Sequence, residues 1–169
     1  MDWGTLTAAF IGWSGAFIQA FGYPGIFVVS MLSSASIFLP LPGFLFIIAA
    51  APFLNPFAVG IAAGAGSAIG ELTGYILGRG GQKALKGREY KWLKSGEKWF
   101  RKKRGFLFIV IFAATPLPDD VTGILGGMFR YDWKKFLLAS FIGKTLLNLA
   151  LAFSGFYGVS LIAPLLAGA

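Results

Sequence analysis

Four ionisable residues, Glu71, Asp119, Asp120 and Lys144, lie in or beside strongly apolar stretches of the chain. Charge is expensive at membrane depth, and intramembrane charges usually face a cavity or one another. Glu71 follows Gly70, and Lys144 follows Gly143. Each also follows a paired-proline break: Glu71 lies 31 residues beyond Pro40 of Pro40-Leu41-Pro42, and Lys144 lies 28 beyond Pro116 of Pro116-Leu117-Pro118. These matched places predict a Glu71–Lys144 pair across an interface between two halves. Burial favours a neutral carboxyl and a nearby cation favours an ionised one, so Glu71 is a candidate proton site. A purely structural ion pair is a second reading, and a Lys144 that snorkels to the surface is a third. Asp119 and Asp120 stand just after the second break. One of them suits the N-cap of a helix that starts near Val121. The functional reading is a proton or cation site at the tip, and both roles can hold for different members of the pair.

Anions are the other chemistry on offer. A proline interrupts helical hydrogen bonding and pushes the chain out of helix. Breaks at Pro40, Pro42, Pro116 and Pro118 therefore free helix N-termini, whose amides and dipoles attract anions. Gly43 leaves the first tip open to close approach. A phosphate head group could be held there, with Arg79 or Arg130 as a cationic clamp. For Arg130 the alternative is ordinary anchoring at the membrane surface.

The 169-residue composition sets the class: 56% of residues are hydrophobic, with 18 Phe and 24 Gly. That is a membrane protein, expected to be all-α, with room for about three or four spans of roughly 20 residues. There is no Cys, so disulfides and thiol chemistry are excluded, and no His, the commonest metal ligand and general base. No metal cluster, cofactor motif or nucleophile–base pair can be read, and an enzyme is not expected. The N-terminus has no basic leader and reads as mature chain.

Eleven of the 15 basic residues fall between Arg79 and Arg104. A basic block can bind nucleic acid, but apolar segments flank this one. The positive-inside rule is the better reading. It places residues 79–104 in the cytoplasm of a plasma-membrane protein, near anionic lipid head groups, with no nucleic-acid partner.

The elements that must position these groups follow from hydropathy. Residues 5–22 form a weak N-terminal helix, crossing or lying at the interface. Gly22-Tyr23-Pro24-Gly25 reads as a turn. Residues 26–54 form two short apolar legs around the first break, a hairpin that enters and leaves on one side. Such backbone is tolerated only under protein or a wet cavity. Residues 57–78 form the clearest spanning helix, with Gly66, Gly70, Gly74 and Gly78 on one stripe for close backbone approach or for self-association into a homo-oligomer. Glu71 lies about 100° round from that stripe, in register with Ser67 and Tyr75. Residues 79–104 are amphipathic, with tryptophans at head-group level. Residues 106–129 form a second hairpin, and 136–156 a second span carrying Ser140, Lys144 and Asn148 at fourfold spacing. Hairpin-then-span occurs twice, and the linker implies opposite orientations: an inverted repeat whose broken helices meet near the midplane.

Glu71-Leu72-Thr73-Gly74-Tyr75-Ile76-Leu77-Gly78-Arg79 resembles the acidic-x-x-Gly-Tyr-x-x-Gly-Arg motif of the DedA family, also called the VTT or SNARE-associated Golgi protein family. Thr115 to Val121, Gly126-Gly127-Met128, Phe136 and Gly143 resemble its second hairpin and following helix. The likeness covers about residues 23 to 156. It implies two re-entrant hairpins in inverted orientation and movement of lipid across a bilayer. It also implies proton-coupled recycling of polyprenyl phosphate in bacterial members and phospholipid scrambling in eukaryotic ones. By motif, Glu71 takes the acidic position and Arg79 the closing arginine. The chain departs from the bacterial pattern. Phe44 stands where Pro-Gly is usually followed by Glu, and Ala114-Thr115 and Asp119-Asp120 stand where arginines usually flank the second proline. It reads as a divergent member in which Asp119 or Asp120 replaces the missing acid.

The leading expectation is a lipid transporter or scramblase with a polar groove between the hairpin tips. The alternatives are a small proton-coupled cation or drug exporter, with Glu71 beside Tyr75, and a non-transporting assembly factor that uses the glycine stripe.

Overall fold

The computed structural model describes residues 3–35, 43–84, 91–100, 103–115 and 120–167. Among these the regular structure is helical throughout, with no strand. The helices are α1 (Trp3–Ala35), α2 (Gly43–Ala50), α3 (Pro56–Gly70), α4 (Leu72–Ala84), α5 (Lys91–Phe100), α6 (Lys103–Ala113), α7 (Asp120–Met128) and α8 (Trp133–Ala167). Three stretches are long and apolar enough to cross a membrane: Gly15–Ala35, Pro56–Gln82 and Trp133–Gly158. By contrast α2, α6 and α7 have 8, 11 and 9 residues, well short of the roughly 20 a span needs.

The turn expected at 22–25 is a kink instead. Helix continues on both sides, and only Gly22 leaves it, at φ 49° and ψ −135°. That conformation suits a residue without a Cβ. Pro24 cannot supply its N–H, which adds to the bend. The N-terminal helix and the first leg are thus one bent rod.

The helix expected over 57–78 is longer and jointed. Asn55 caps its start, its Oδ1 accepting from the Phe57 and Ala58 amides at 3.0 and 3.2 Å, with Pro56 at the first position. The rod runs on as α4 to Ala84, so the first turns of the expected 79–104 linker belong to this helix. The joint is Glu71. Hydrogen bonding carries through it: the Glu71 amide donates to Ser67 O at 3.0 Å, and the Tyr75 amide donates to Glu71 O at 3.2 Å.

Packing crosses between the halves. The late part of α1 lies on α3, and α6 lies on α8. The return legs exchange supports: α2 packs on α8, and α7 packs on α4. At the centre α3 and α8 pack on each other, close enough that a Cβ on Gly60 would meet Leu149 and one on Gly64 would meet Thr145. Small residues permit such contact. Two apolar clusters form. One is aliphatic and gathers Ile18, Ile26, Ile47, Val59, Ala63 and Ala152. The other is aromatic and gathers Tyr75, Phe100, Tyr131 and Phe136 with Ile109 and Ala139.

Helix α5 docks on the aromatic cluster by Phe100, whose ring centroid lies 5.0 Å from Phe129, 5.7 Å from Phe108 and 6.0 Å from Tyr131. Lys94 and Lys98 stay exposed. Alternation of ring and lysine at helical spacing gives one docked face and one charged face.

Candidate functional site

Between the two clusters lies a belt of buried polar groups. Glu71 and Lys144 are its centre, 3% and 6% exposed, with Lys144 Nζ 3.1 Å from Glu71 Oε1. Helical periodicity supplies the rest. Ser67 lies one turn before Glu71, and Ser140 and Asn148 lie one turn either side of Lys144; all three are buried. Ser30 from α1 and Thr122 from α7 are buried as well. Taking two charges from water costs several kcal/mol per ion, which pairing offsets only with good geometry and further hydrogen bonds. The hydroxyls of Ser30, Ser140 and Thr145 and the amide nitrogen of Asn148 have no hydrogen-bond partner among the described residues. Buried groups of this kind take water or a ligand.

Helices α1 and α6 each reach this belt at a glycine. A Cβ on Gly70 would collide with Met31 O and come 2.9 Å from Ala35 N. A Cβ on Gly143 would come 2.5 Å from Val110 O and 3.0 Å from Ala114 N. The residue before each charge therefore presses on the last described turns before a proline break. Thr73 ties the first contact, its hydroxyl donating to Gly70 O at 2.9 Å and to Ala35 O at 3.3 Å. Gly43, the first residue of α2, donates its amide to Ser33 Oγ at 3.1 Å, and a Cβ there would collide with that hydroxyl. On the other side the start of α7 reaches Glu71 directly, with Gly123 against Glu71 O and Gly74.

The glycine stripe is divided between two partners. Gly66 and Gly70 face α1, whereas Gly74 and Gly78 face α7, Gly78 against Ile124 O. Pro40, Pro42, Pro116, Pro118, Asp119 and the side chain of Asp120 lie outside the described residues; the backbone of Asp120 opens α7.

The two arginines sit at one end of the α4–α7 pair, roughly 12 Å along the helix from Glu71 at 1.5 Å per residue. Arg79 is half-buried, and its Nη1 has no partner among the described residues. Arg130 takes φ 54° just past α7. The Arg130 amide donates to Gly127 O at 3.2 Å and the Tyr131 amide to Gly126 O at 2.9 Å, a Schellman closure. Its exposed guanidinium Nε donates to Gln82 Oε1 at 3.1 Å. Nearby, the buried Tyr75 hydroxyl donates to Tyr131 O across 56 residues of sequence. Burial, with Asp132 a secondary cause, pushes the Tyr131 phenol above its ordinary value.

Sequence reasoning missed Ser30, Thr122 and the Tyr75–Tyr131 link. Ser30 was signalled as a polar residue inside an apolar leg, and Thr122 by its place just after the Asp pair. Nothing local signals a side-chain bond to a distant carbonyl.

Short helices flanking long apolar ones, around a buried charged pair, define an all-helical protein of the membrane class. Residues 41–157 match the family model of the VTT domain, and the chain belongs to that family. No curated protein matches the chain, and no solved structure does.

Proposed function

We propose that the protein moves the head group of a lipid, a polyprenyl phosphate or a phospholipid, across the bilayer through the polar belt, with the tails left in the membrane. The observation that carries this reading is the Glu71–Lys144 pair in a belt that both hairpins approach. A polar path flanked by α2, α6 and α7, three helices too short to span, supports re-entrant hairpins in an inverted repeat. Glu71 serves as the proton site and Lys144 as its counter-charge. Asp119 and Asp120 add acid at the second tip. Arg79 and Arg130 meet phosphate where it enters or leaves. The basic face of α5 lies along anionic head groups on the cytoplasmic side of the plasma membrane, its docked Phe100 supporting that placement.

The test is reconstitution in liposomes, following fluorescent phospholipid and polyprenyl phosphate with and without a pH gradient. Wild-type protein moves one of them; Glu71→Gln does not, and a gradient-dependent rate marks coupling. Glu71→Gln and Asp120→Asn proteins that move lipid at the wild-type rate sink the assignment. Proton release on adding a lipophilic cation, without lipid movement, turns the reading to a cation exporter.

A further inference from the structure

A second site lies outside the belt. An apolar groove of about 410 Å³ runs between α3 and α8, within the roughly 300–1,000 Å³ of small-ligand sites. Ala65, Ala68 and Ile69 of α3 face Leu138 and Phe141 of α8, and Trp133 and Lys134 stand at the start of α8. No residue of the charged pair lines it. The small side chains of α3 open the groove, and its rim is exposed: Ile69 is 42% accessible and Leu138 53%. Both walls belong to stretches long and apolar enough to cross a membrane, so hydrocarbon chains are what the groove would meet.

The mouth is chemically specific. Lys134 is exposed, its Nζ 5.8 Å from the Trp133 ring centroid, and no carboxylate pairs with it among the described residues. The nearest acid in sequence, Asp132, is occupied in capping: its Oδ1 accepts from the Lys135 amide at 2.9 Å. Lys135 adds a second exposed cation. A tryptophan with lysines at the end of an apolar helix is the pattern of a membrane–water interface. An apolar slot with a cationic mouth complements an amphiphile with an anionic head.

We propose that this groove holds one acyl chain of an anionic glycerophospholipid, with the phosphate on Lys134. The site rests on α3 and α8 lying in a bilayer and not on lipid being moved, so the two readings fail separately.

The experiment uses the full chain in phosphatidylcholine vesicles doped with phosphatidylglycerol carrying a mid-chain diazirine. After irradiation the labelled peptides are mapped. A parallel sample carries the diazirine on phosphatidylcholine. The expected result is label within 65–69 and 137–141 that is several-fold stronger from phosphatidylglycerol. Lys134→Gln, an exposed change that leaves packing alone, should remove that preference. Ala65→Phe should fill the groove and lower label from both lipids. Glu71→Gln should leave the label unchanged whatever it does to lipid movement. Equal labelling by both lipids overturns the head-group assignment. Label absent from these segments, or protein–protein crosslinks through them, overturns the site.

Discussion

The last turns of α1 and of α6 make the same contact on two different helices. One presses its backbone on Gly70 beside Glu71, and the other on Gly143 beside Lys144. Around this shared contact the helix pairs α1–α2 and α6–α7 differ. The legs of the first pack on each other and on an aliphatic cluster. The legs of the second barely touch, α6 lying on α8 and α7 on α4, and aromatic rings close the gap with α5 over them. The lesson is that backbone-to-glycine contact sets the depth of each charge, whereas the cores behind the contacts diverge freely. Close backbone packing tolerates no side chain, while an apolar core accepts many fillings of similar volume.

The strongest way to test the comparison is to break the pair it positions. Lys144→Met leaves the Glu71 carboxylate buried without its cation and should cost about 3–5 kcal/mol, seen as a lowered unfolding midpoint in detergent. Adding Glu71→Leu should recover most of that. Equal instability of single and double variants would show that the two charges are not coupled.

Next come the two glycines. Gly70→Val and Gly143→Val each drive a branched side chain into backbone and should each cost about 1–3 kcal/mol. Similar losses support equivalent contacts, and a neutral Gly143→Val ends the equivalence.

A smaller effect probes what is particular to the α6–α7 pair. Tyr75→Phe removes the hydroxyl that donates to Tyr131 O, with an expected loss of about 1 kcal/mol and, by hydrogen exchange, faster opening at 126–131 than at 43–50. Equal opening of both segments would deny this bond any role in holding the end of α7.

The smallest should be a gain. Arg130→Gly relieves a left-handed residue at the end of α7, offset by the lost bond to Gln82. The expected net stabilisation is at most about 1 kcal/mol by the same melt. A clear destabilisation would give the Arg130–Gln82 bond more weight than an exposed contact normally carries.

Much of the site was legible because its signals are local. Glu71 and Lys144 stand out as charges in apolar runs, each preceded by glycine and reached at a similar distance from a proline pair. Ser67, Ser140 and Asn148 follow by helical spacing. The kink at Gly22 was not legible, since Gly-Tyr-Pro-Gly serves a turn as readily as a bend, and packing of α1 along α3 selects the bend. The joint at Glu71 was hidden likewise: an apolar run with glycines every fourth residue reads as one straight helix, yet α3 packs on α1 and α8 while α4 packs on α7.

The residues alone were enough for the helical class, the short apolar segments beside the proline pairs and the charges that would be costly, because each follows from hydropathy and periodicity within a few turns. Tertiary packing alone decided that α2 lies on α8 as well as on α1, and that α7 lies on α4. It alone also decided that Tyr75 holds Tyr131, and that an apolar groove with a lysine at its mouth opens between α3 and α8. These depend on how surfaces far apart in the chain fit one another, and shape fit between distant helices leaves no periodic trace in sequence.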